Sequence, residues 1–333
     1  MLAENGRIRK QWSVSMGRVF TPEEQRKVKQ ALAYATPWDG FWYFLIPYRR
    51  FVVRNNIHRA FGSFLSPAEE LQLVKAYYGH FVRLAWEIFV EQHFVNWRKR
   101  FVPGVLNMSY LTSALRQKKG VLLLGAHTGN WEWGLIHAAN HIAKETDSRT
   151  YVLSRVIRPV WMRSWRIRRL ARNGVVVIEN KTGSLRHVIR ALRGGNVVVM
   201  TIDQHAGAAG ASSVPVPFFG EVTPTFATLA ELALRTGAPV VPLSVYKDYE
   251  SGEHAMAFYE PIEMTDAIAM RPNDELETDK VTALTALYNS IFEQMIIEHP
   301  EQWLWSHRRW RGQPDESSVQ SREGGAATSD NDL

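Results

Sequence analysis

An α/β fold, with a largely parallel central sheet flanked by helices and a helical N-terminal portion, is predicted by three observations. Four short apolar runs appear after residue 120: Val121-Leu122-Leu123-Leu124, Val175-Val176-Val177-Ile178, Val197-Val198-Val199-Met200 and Val240-Val241. Segments with apolar residues at helical spacing lie between them, the alternation expected of βαβ units. The first hundred residues carry helix-start signals and read as mostly helical.

The elements follow in order. Thr21-Pro22-Glu23-Glu24 and Ser66-Pro67-Ala68-Glu69 each place a hydroxyl at the N-cap, proline at N1 and glutamate at N3, the pattern of a capped helix. The second opens a stripe of Leu71, Val74, Tyr78, Phe81, Ala85 and Phe89. Leu185, Val188, Ile189 and Leu192 form one helix face closed by Gly194-Gly195. A further helix is expected from Thr223-Pro224 to Gly237, with Phe226, Leu229, Ala230, Ala233 and Leu234 inward. A last one runs through Val281, Leu284, Tyr288, Ile291 and Met295 and ends before Pro300. The expected organisation is a helical portion over 1–104, a core over 105–312 and a disordered tail over 313–333, whose composition lacks apolar residues.

The chain has 333 residues and is 45% hydrophobic, enough for a sizeable core. It has no cysteine, which excludes disulfides, thiolate nucleophiles and cysteine-ligated metals. No stretch reaches the roughly 20 apolar residues that span a bilayer, and no signal peptide is recognisable. A soluble or peripheral protein is therefore expected. The net charge of +7 suits acidic partners such as an anionic lipid surface, an acidic carrier protein or nucleic acid.

Gly125-Ala126-His127-Thr128-Gly129-Asn130-Trp131-Glu132 directly follows the first strand run. Ligands of open parallel sheets bind at the carboxyl ends of strands, where His127 falls. On one continuous helix, His127 and Glu132 would point about 140° apart. They converge only if the histidine sits in the preceding turn, which Gly129 permits. A carboxylate on one imidazole nitrogen makes the other a general base. A capping histidine with an exposed glutamate is the alternative.

Ser154 to Arg172 contains Arg155, Arg158, Arg163, Arg166, Arg168, Arg169 and Arg172 with Trp161 and Trp165, and no acid occurs between Asp147 and Glu179. Phosphate, a bilayer interface, nucleic acid or a solvated helix face all fit this composition. Asp203-Gln204-His205 follows another strand run and leads through Pro217-Phe218-Phe219-Gly220 toward the expected helix, so an anion loop or an ordinary connection is possible. The run His299 to Trp310 is dense in aromatic and cationic residues. No G-x-S-x-G, G-x-x-x-x-G-K-[ST] or G-x-G-x-x-G is present, which argues against an α/β serine hydrolase and the usual nucleotide folds. His137 and His141 lack the glutamate of a zinc motif, and no metal is expected.

In order, H-T-G-N-W-E at 127–132, D-Q at 203–204, P-F-F-G at 217–220 with Thr225 downstream, T-G-A-P-V-V-P at 236–242 and H-P-E-Q-W-L-W-S-H-R-R-W at 299–310 resemble the late acyltransferase family of lipid A biosynthesis. That family lies within the wider lysophospholipid acyltransferase superfamily. Asn55-Asn56 through Ala60-Phe61 resembles its lead into the first long helix, so the similarity spans about residues 50 to 312. Two features depart from the pattern: the family's usual membrane-spanning N-terminal helix is not recognisable, and His205 stands where a second aspartate is common.

The resemblance implies transfer of a fatty-acyl chain from an acyl carrier protein or coenzyme A thioester, as co-substrate, to a hydroxyl of a membrane lipid or glycolipid, a lipid A-like precursor being favoured. No cofactor and no nucleic-acid partner are implied. Within the HX4E motif, His127 is implied as base and Glu132 as its orienting partner. Substrate contacts are implied for Asn130, Arg155, Asp203, Gln204, Phe219, Gly220, Thr225 and Arg309. The expected location is the cytoplasmic face of a bacterial inner membrane, held peripherally by the Phe41–Ile46 run and the arginine-tryptophan segment on an anionic surface. A lipid hydrolase using the same site, and a basic nucleic-acid-binding protein, are the competing readings.

Overall fold

The structure is a computed structural model that describes residues 18–91, 104–207, 212–249, 251–262 and 277–312. The expected C-terminal tail lies outside them. Helices α1 (Pro22–Leu32) and α4 (Pro67–Trp86) open as their caps predict. The Thr21 and Ser66 hydroxyls accept the backbone N–H of Glu24 and Glu69, whose carboxylates accept the Thr21 and Ser66 N–H at 2.9 and 2.8 Å. The same logic starts α2 (Pro37–Leu45), where Asp39 accepts the Thr36 N–H at 2.6 Å. Helix α3 (Arg50–Phe61) lies between, and α4 runs on into a π-helical turn, Glu87–Glu91.

The α/β part follows as β1 (Gly104–Leu106), α5 (Met108–Arg116), β2 (Val121–Gly125), α6 (Trp131–Glu145), β3 (Thr150–Ser154), α7 (Val160–Arg172), β4 (Val175–Glu179), α8 (Ser184–Arg193) and β5 (Val197–Thr201). A hairpin of β6 (Ser213–Phe218) and β7 (Glu221–Phe226) intervenes. Then come α9 (Thr228–Thr236), β8 (Val240–Lys247), β9 (His254–Phe258), α10 (Glu277–Glu298) and a short 3₁₀ turn at Pro300–Gln302. The seven-stranded sheet has the order β1-β9-β8-β2-β5-β3-β4 and is parallel except where β9 meets β8.

The four apolar runs are strands β2, β4, β5 and β8. Strands β1, β3 and β9 are not among the expected strands; β3 is Thr-Tyr-Val-Leu-Ser and β9 is His-Ala-Met-Ala-Phe. The expectation of a helix from Thr223-Pro224 is corrected: both residues lie in β7, with Pro224 opposite Pro215 of β6. A proline lacking its N–H suits a two-stranded ribbon edge as well as a helix N1 position. The helix begins at Thr228, and Gly237 closes it in the left-handed conformation, φ 65°. Leu185, expected inward on α8, is instead partly exposed beside the cavity described below.

Central strands are buried on both faces, as parallel sheets covered by helices require. Leu122 and Leu124 join one core with Val53, Phe61, Tyr78, Leu229 and Ile291, so the front helices share that core with the sheet. Val121 and Leu123 join the opposite core with Ile136, Ile142 and Leu170.

Candidate active site

Strands β2 and β5 are parallel neighbours in register, Leu124 beside Met200 and Gly125 beside Thr201. His127 and Asp203 each sit two residues beyond those last paired positions. Residues 76 apart in sequence therefore emerge side by side at the carboxyl edge of the sheet, where the rule for open α/β sheets puts a ligand.

Asp203 is fully buried and grips His127 twice. Its Oδ1 lies 2.8 Å from the imidazole Nδ1, and its Oδ2 accepts the His127 backbone N–H at 2.9 Å. The indole N–H of buried Trp303 donates to the same Oδ2 at 2.8 Å. Burial alone pushes the Asp203 carboxyl upward, but His127 and these hydrogen bonds overturn that and hold its pKa down at about 2. The C-terminal segment closes the other side of the turn: Leu304 N–H donates to His127 O, and Gly129 N–H to Gln302 O, both at 3.0 Å. Gly129 has φ 51°, as the turn demands, and a Cβ there would meet Val245 O at 2.6 Å.

The expected His127–Glu132 pairing is corrected. Glu132 is buried in the first turn of α6, and its two carboxylate oxygens accept from Arg166 and Arg169 of α7. With both oxygens held by guanidinium groups, Glu132 bonds α6 to α7, and the ring of His127 is oriented by Asp203. Arg163 likewise pairs with Glu179. The arginine-rich segment thus turns three of its cations to carboxylates of other elements, two of them to the buried Glu132.

His127, Glu132, Arg155 and Gln204 all line one cavity of about 1350 Å³. Its inner wall is apolar, with Leu135, Val152, Val199, Leu243 and Val245 of the α6-side core. Arg155, Lys181 and Arg186 supply cations to its lining. Arg155 lies 5.2 Å over the Phe226 ring. Among the described residues, Nε2 of His127 has no bonded partner, so with Nδ1–H donated to Asp203 the free lone pair belongs to the ring edge away from Asp203.

The other expected contacts lie elsewhere. Asn130 is buried at the N-cap of α6, accepting Trp133 N–H and donating to Glu87 at 2.9 Å. Phe219 and Gly220 form the β6–β7 turn, where Phe219 N–H donates to Glu293 at 2.7 Å. Arg309, expected as a substrate contact, is instead turned into the fold and fully buried. Its guanidinium donates to Pro224 O at 2.8 Å and to the Thr225 hydroxyl at 2.6 Å, over the Phe218 ring at 4.6 Å. Burial lowers its pKa to about 9. Arg309 and Thr225 therefore anchor the hairpin to the C-terminal segment, and neither belongs to the cavity lining. Sequence reasoning gave Trp303 no role, although it lies in the H-P-E-Q-W-L-W-S-H-R-R-W segment.

A family model described as bacterial lipid A biosynthesis acyltransferase matches residues 39–312, a span that holds the whole of this site. The chain belongs to that family. Among relatives, the lipid A biosynthesis lauroyltransferase of Escherichia coli (strain K12) is 28% identical over 217 residues, 63% of this chain and 62% of that protein. The lipid A biosynthesis palmitoleoyltransferase of the same organism is 28% identical over 137 residues, 41% of this chain and 40% of that protein. The same figures hold for a lipid A biosynthesis acyltransferase of Shigella flexneri. Each similarity spans less than two thirds of the relative's length. The H-T-G-N-W-E segment carries both His127 and Glu132, and the fold gives the two residues different partners.

Proposed function

We propose that this protein transfers a fatty-acyl chain from an acyl thioester, carried by acyl carrier protein or coenzyme A, to a hydroxyl of a lipid A-like glycolipid at a membrane. Family membership supports the reaction class. The observation that carries the chemistry is the His127 ring, bonded at Nδ1 by a buried carboxylate while it lines a large, mostly apolar cavity.

In this reading, Nε2 of His127 takes the proton of the acceptor hydroxyl as its oxygen attacks the thioester carbonyl. The tetrahedral intermediate collapses, the carbon–sulfur bond breaks, and the imidazolium returns its proton to the departing thiolate. Asp203 holds the ring and stabilises the transient imidazolium, the part played by the carboxylate of a Ser-His-Asp triad. Glu132 acts at one remove, by fixing α7 and the cavity wall it carries. Arg155, Lys181 and Arg186 favour phosphate groups on either substrate, and the apolar wall takes the acyl chain.

The site of action in this reading is the cytoplasmic face of a bacterial inner membrane. None of the described helices is long and apolar enough to cross a membrane.

The test is acyl transfer measured by lipid mass spectrometry, with purified protein offered both thioesters and a lipid A precursor. His127→Ala is expected to lose about 10²- to 10⁴-fold in rate while keeping the wild-type circular dichroism spectrum. Near-normal turnover in that variant overturns the mechanism. Release of free fatty acid without an acylated lipid overturns the transferase reading in favour of hydrolysis.

A further inference from the structure

Helix α2 is apolar on two opposite sides. Trp42 and Tyr43 pack against the buried core, and Tyr43 meets Tyr78 of α4 edge-on at 5.5 Å. On the other side Trp38, Phe41, Phe44 and Leu45 form one stripe spanning about 120° of the helix, and they are 68%, 49%, 72% and 59% exposed. Scattered exposed apolar residues need no explanation, but four large ones on one nine-residue helix form a patch that does. A helix apolar on both sides belongs between two apolar phases, and here the protein core supplies one of them.

Charge and position indicate the second phase. From Pro37 to Ala68 the only acid is Asp39, which is buried and accepts the Thr36 N–H. Arg49, Arg50 and Arg54 follow the helix directly. Arg50 clasps its end, donating to Phe44 O at 2.6 Å and lying 5.0 Å over the Tyr43 ring. Aromatic rings beside arginines are the composition of a helix lying at a bilayer interface, with cations toward anionic headgroups.

The patch also continues into the active-site region. Tyr48, 49% exposed, stacks on Phe81 at 6.2 Å. Tyr48, Arg49, Phe81, Leu304 and His307 border a second hollow of about 320 Å³. Phe81 and Leu304 line the His127 cavity as well. A surface that takes up lipid at α2 would therefore adjoin the cavity that needs it.

We propose that the Trp38–Phe41–Phe44–Leu45 face of α2 seats the protein on an anionic phospholipid bilayer. The lipid acceptor rests on the function proposed above, but the docking itself does not.

The test uses the full chain and vesicle flotation, with phosphatidylethanolamine–phosphatidylglycerol vesicles against phosphatidylcholine alone. The wild type is expected to float with the anionic vesicles. The Trp38→Ser/Phe44→Ser/Leu45→Ser variant should bind them at least about tenfold more weakly while turning over detergent-dispersed acceptor as before. His127→Ala should float like the wild type, which separates failure of docking from failure of the acyltransferase reading. Because the chain lacks cysteine, a Phe44→Cys variant carries a single polarity-sensitive dye, whose emission should shift to the blue on anionic vesicles. This arm decides the matter even if the triple variant misfolds. Flotation of the triple variant at wild-type affinity, or unshifted emission at position 44, overturns the proposal.

Discussion

The carboxylate of Asp203 binds both the imidazole Nδ1 and the backbone N–H of His127, at 2.8 and 2.9 Å. One buried side chain thus fixes the ring's tautomer and its place on the main chain together. Glu132, five residues from His127 on the same loop and helix, makes its own bonds to Arg166 and Arg169.

This division of labour separates two variants. Asp203→Asn keeps the shape but loses the charge that, in the proposed mechanism, supports the imidazolium, so kcat should fall about 10²- to 10⁴-fold. Glu132→Gln leaves two arginines without their shared carboxylate in a mostly buried position. It should lower unfolding stability by about 3 kcal/mol with a much smaller loss of turnover per folded molecule. Urea denaturation beside steady-state kinetics reads both effects. A large kcat loss in Glu132→Gln at unchanged stability would return the orienting role to the glutamate.

The two arginines carried over from the family pattern should behave differently. Arg155 lines the cavity, so Arg155→Ala is expected to raise KM about tenfold with little change in melting temperature, since charge-assisted contacts contribute on the order of 1.5–3 kcal/mol. Arg309→Ala removes buried bonds to Pro224 and Thr225 and leaves a void over Phe218. It should lower stability by about 2–4 kcal/mol, seen as a clear drop in the melting curve, with KM of the folded fraction unchanged.

Gly129→Ala strains the His127 turn in two ways. The residue sits at φ 51°, and the added Cβ would come within 2.6 Å of Val245 O and 2.8 Å of Tyr246 Cα, both backbone atoms. A stability loss of more than about 2 kcal/mol is expected, with lowered activity because the turn carries the proposed base. Unchanged unfolding by calorimetry would show that β8 can yield at this point.

Glu301 is buried, and burial raises its pKa to about 7. A carboxyl with a raised folded-state pKa holds its proton better in the fold. Its contribution is complete below the unfolded value of about 4.3 and is lost as pH rises through about 7. Wild type should therefore lose stability relative to Glu301→Gln between pH 5 and 8, by on the order of 2–3 kcal/mol. His299 and His307, which burial lowers to about 4, act in the opposite direction below pH 6.5. They are common to both proteins, so the difference between the two urea titrations isolates Glu301.

Much of the fold was legible because its signals are local. Capping boxes at Thr21 and Ser66, the Gly237 stop and the apolar strands β2, β4, β5 and β8 each depend on a few neighbouring residues. The Thr223-Pro224 start failed because proline after threonine suits a ribbon edge as well as a helix, and pairing with β6 decided between them. Strands β3 and β9 escaped because their apolar stretches, Tyr151-Val152-Leu153 and Ala255-Met256-Ala257-Phe258, lack the valine runs of β4, β5 and β8, and alanine and methionine suit a helix at least as well.

By itself, the sequence determined that an α/β sheet would present His127 in a glycine-bearing turn at a strand end, and its ordered motifs pointed to the family. Which carboxylate would meet the imidazole was decided by the tertiary structure alone. Nearness along the chain and the motif pointed to Glu132, five residues away, but helix α7 supplied two guanidinium groups that occupy it. Strand insertion placed β5 beside β2 in register, so Asp203, 76 residues distant, arrives at hydrogen-bonding distance. Sheet adjacency is set by packing of whole elements, and no window of sequence around His127 contains it.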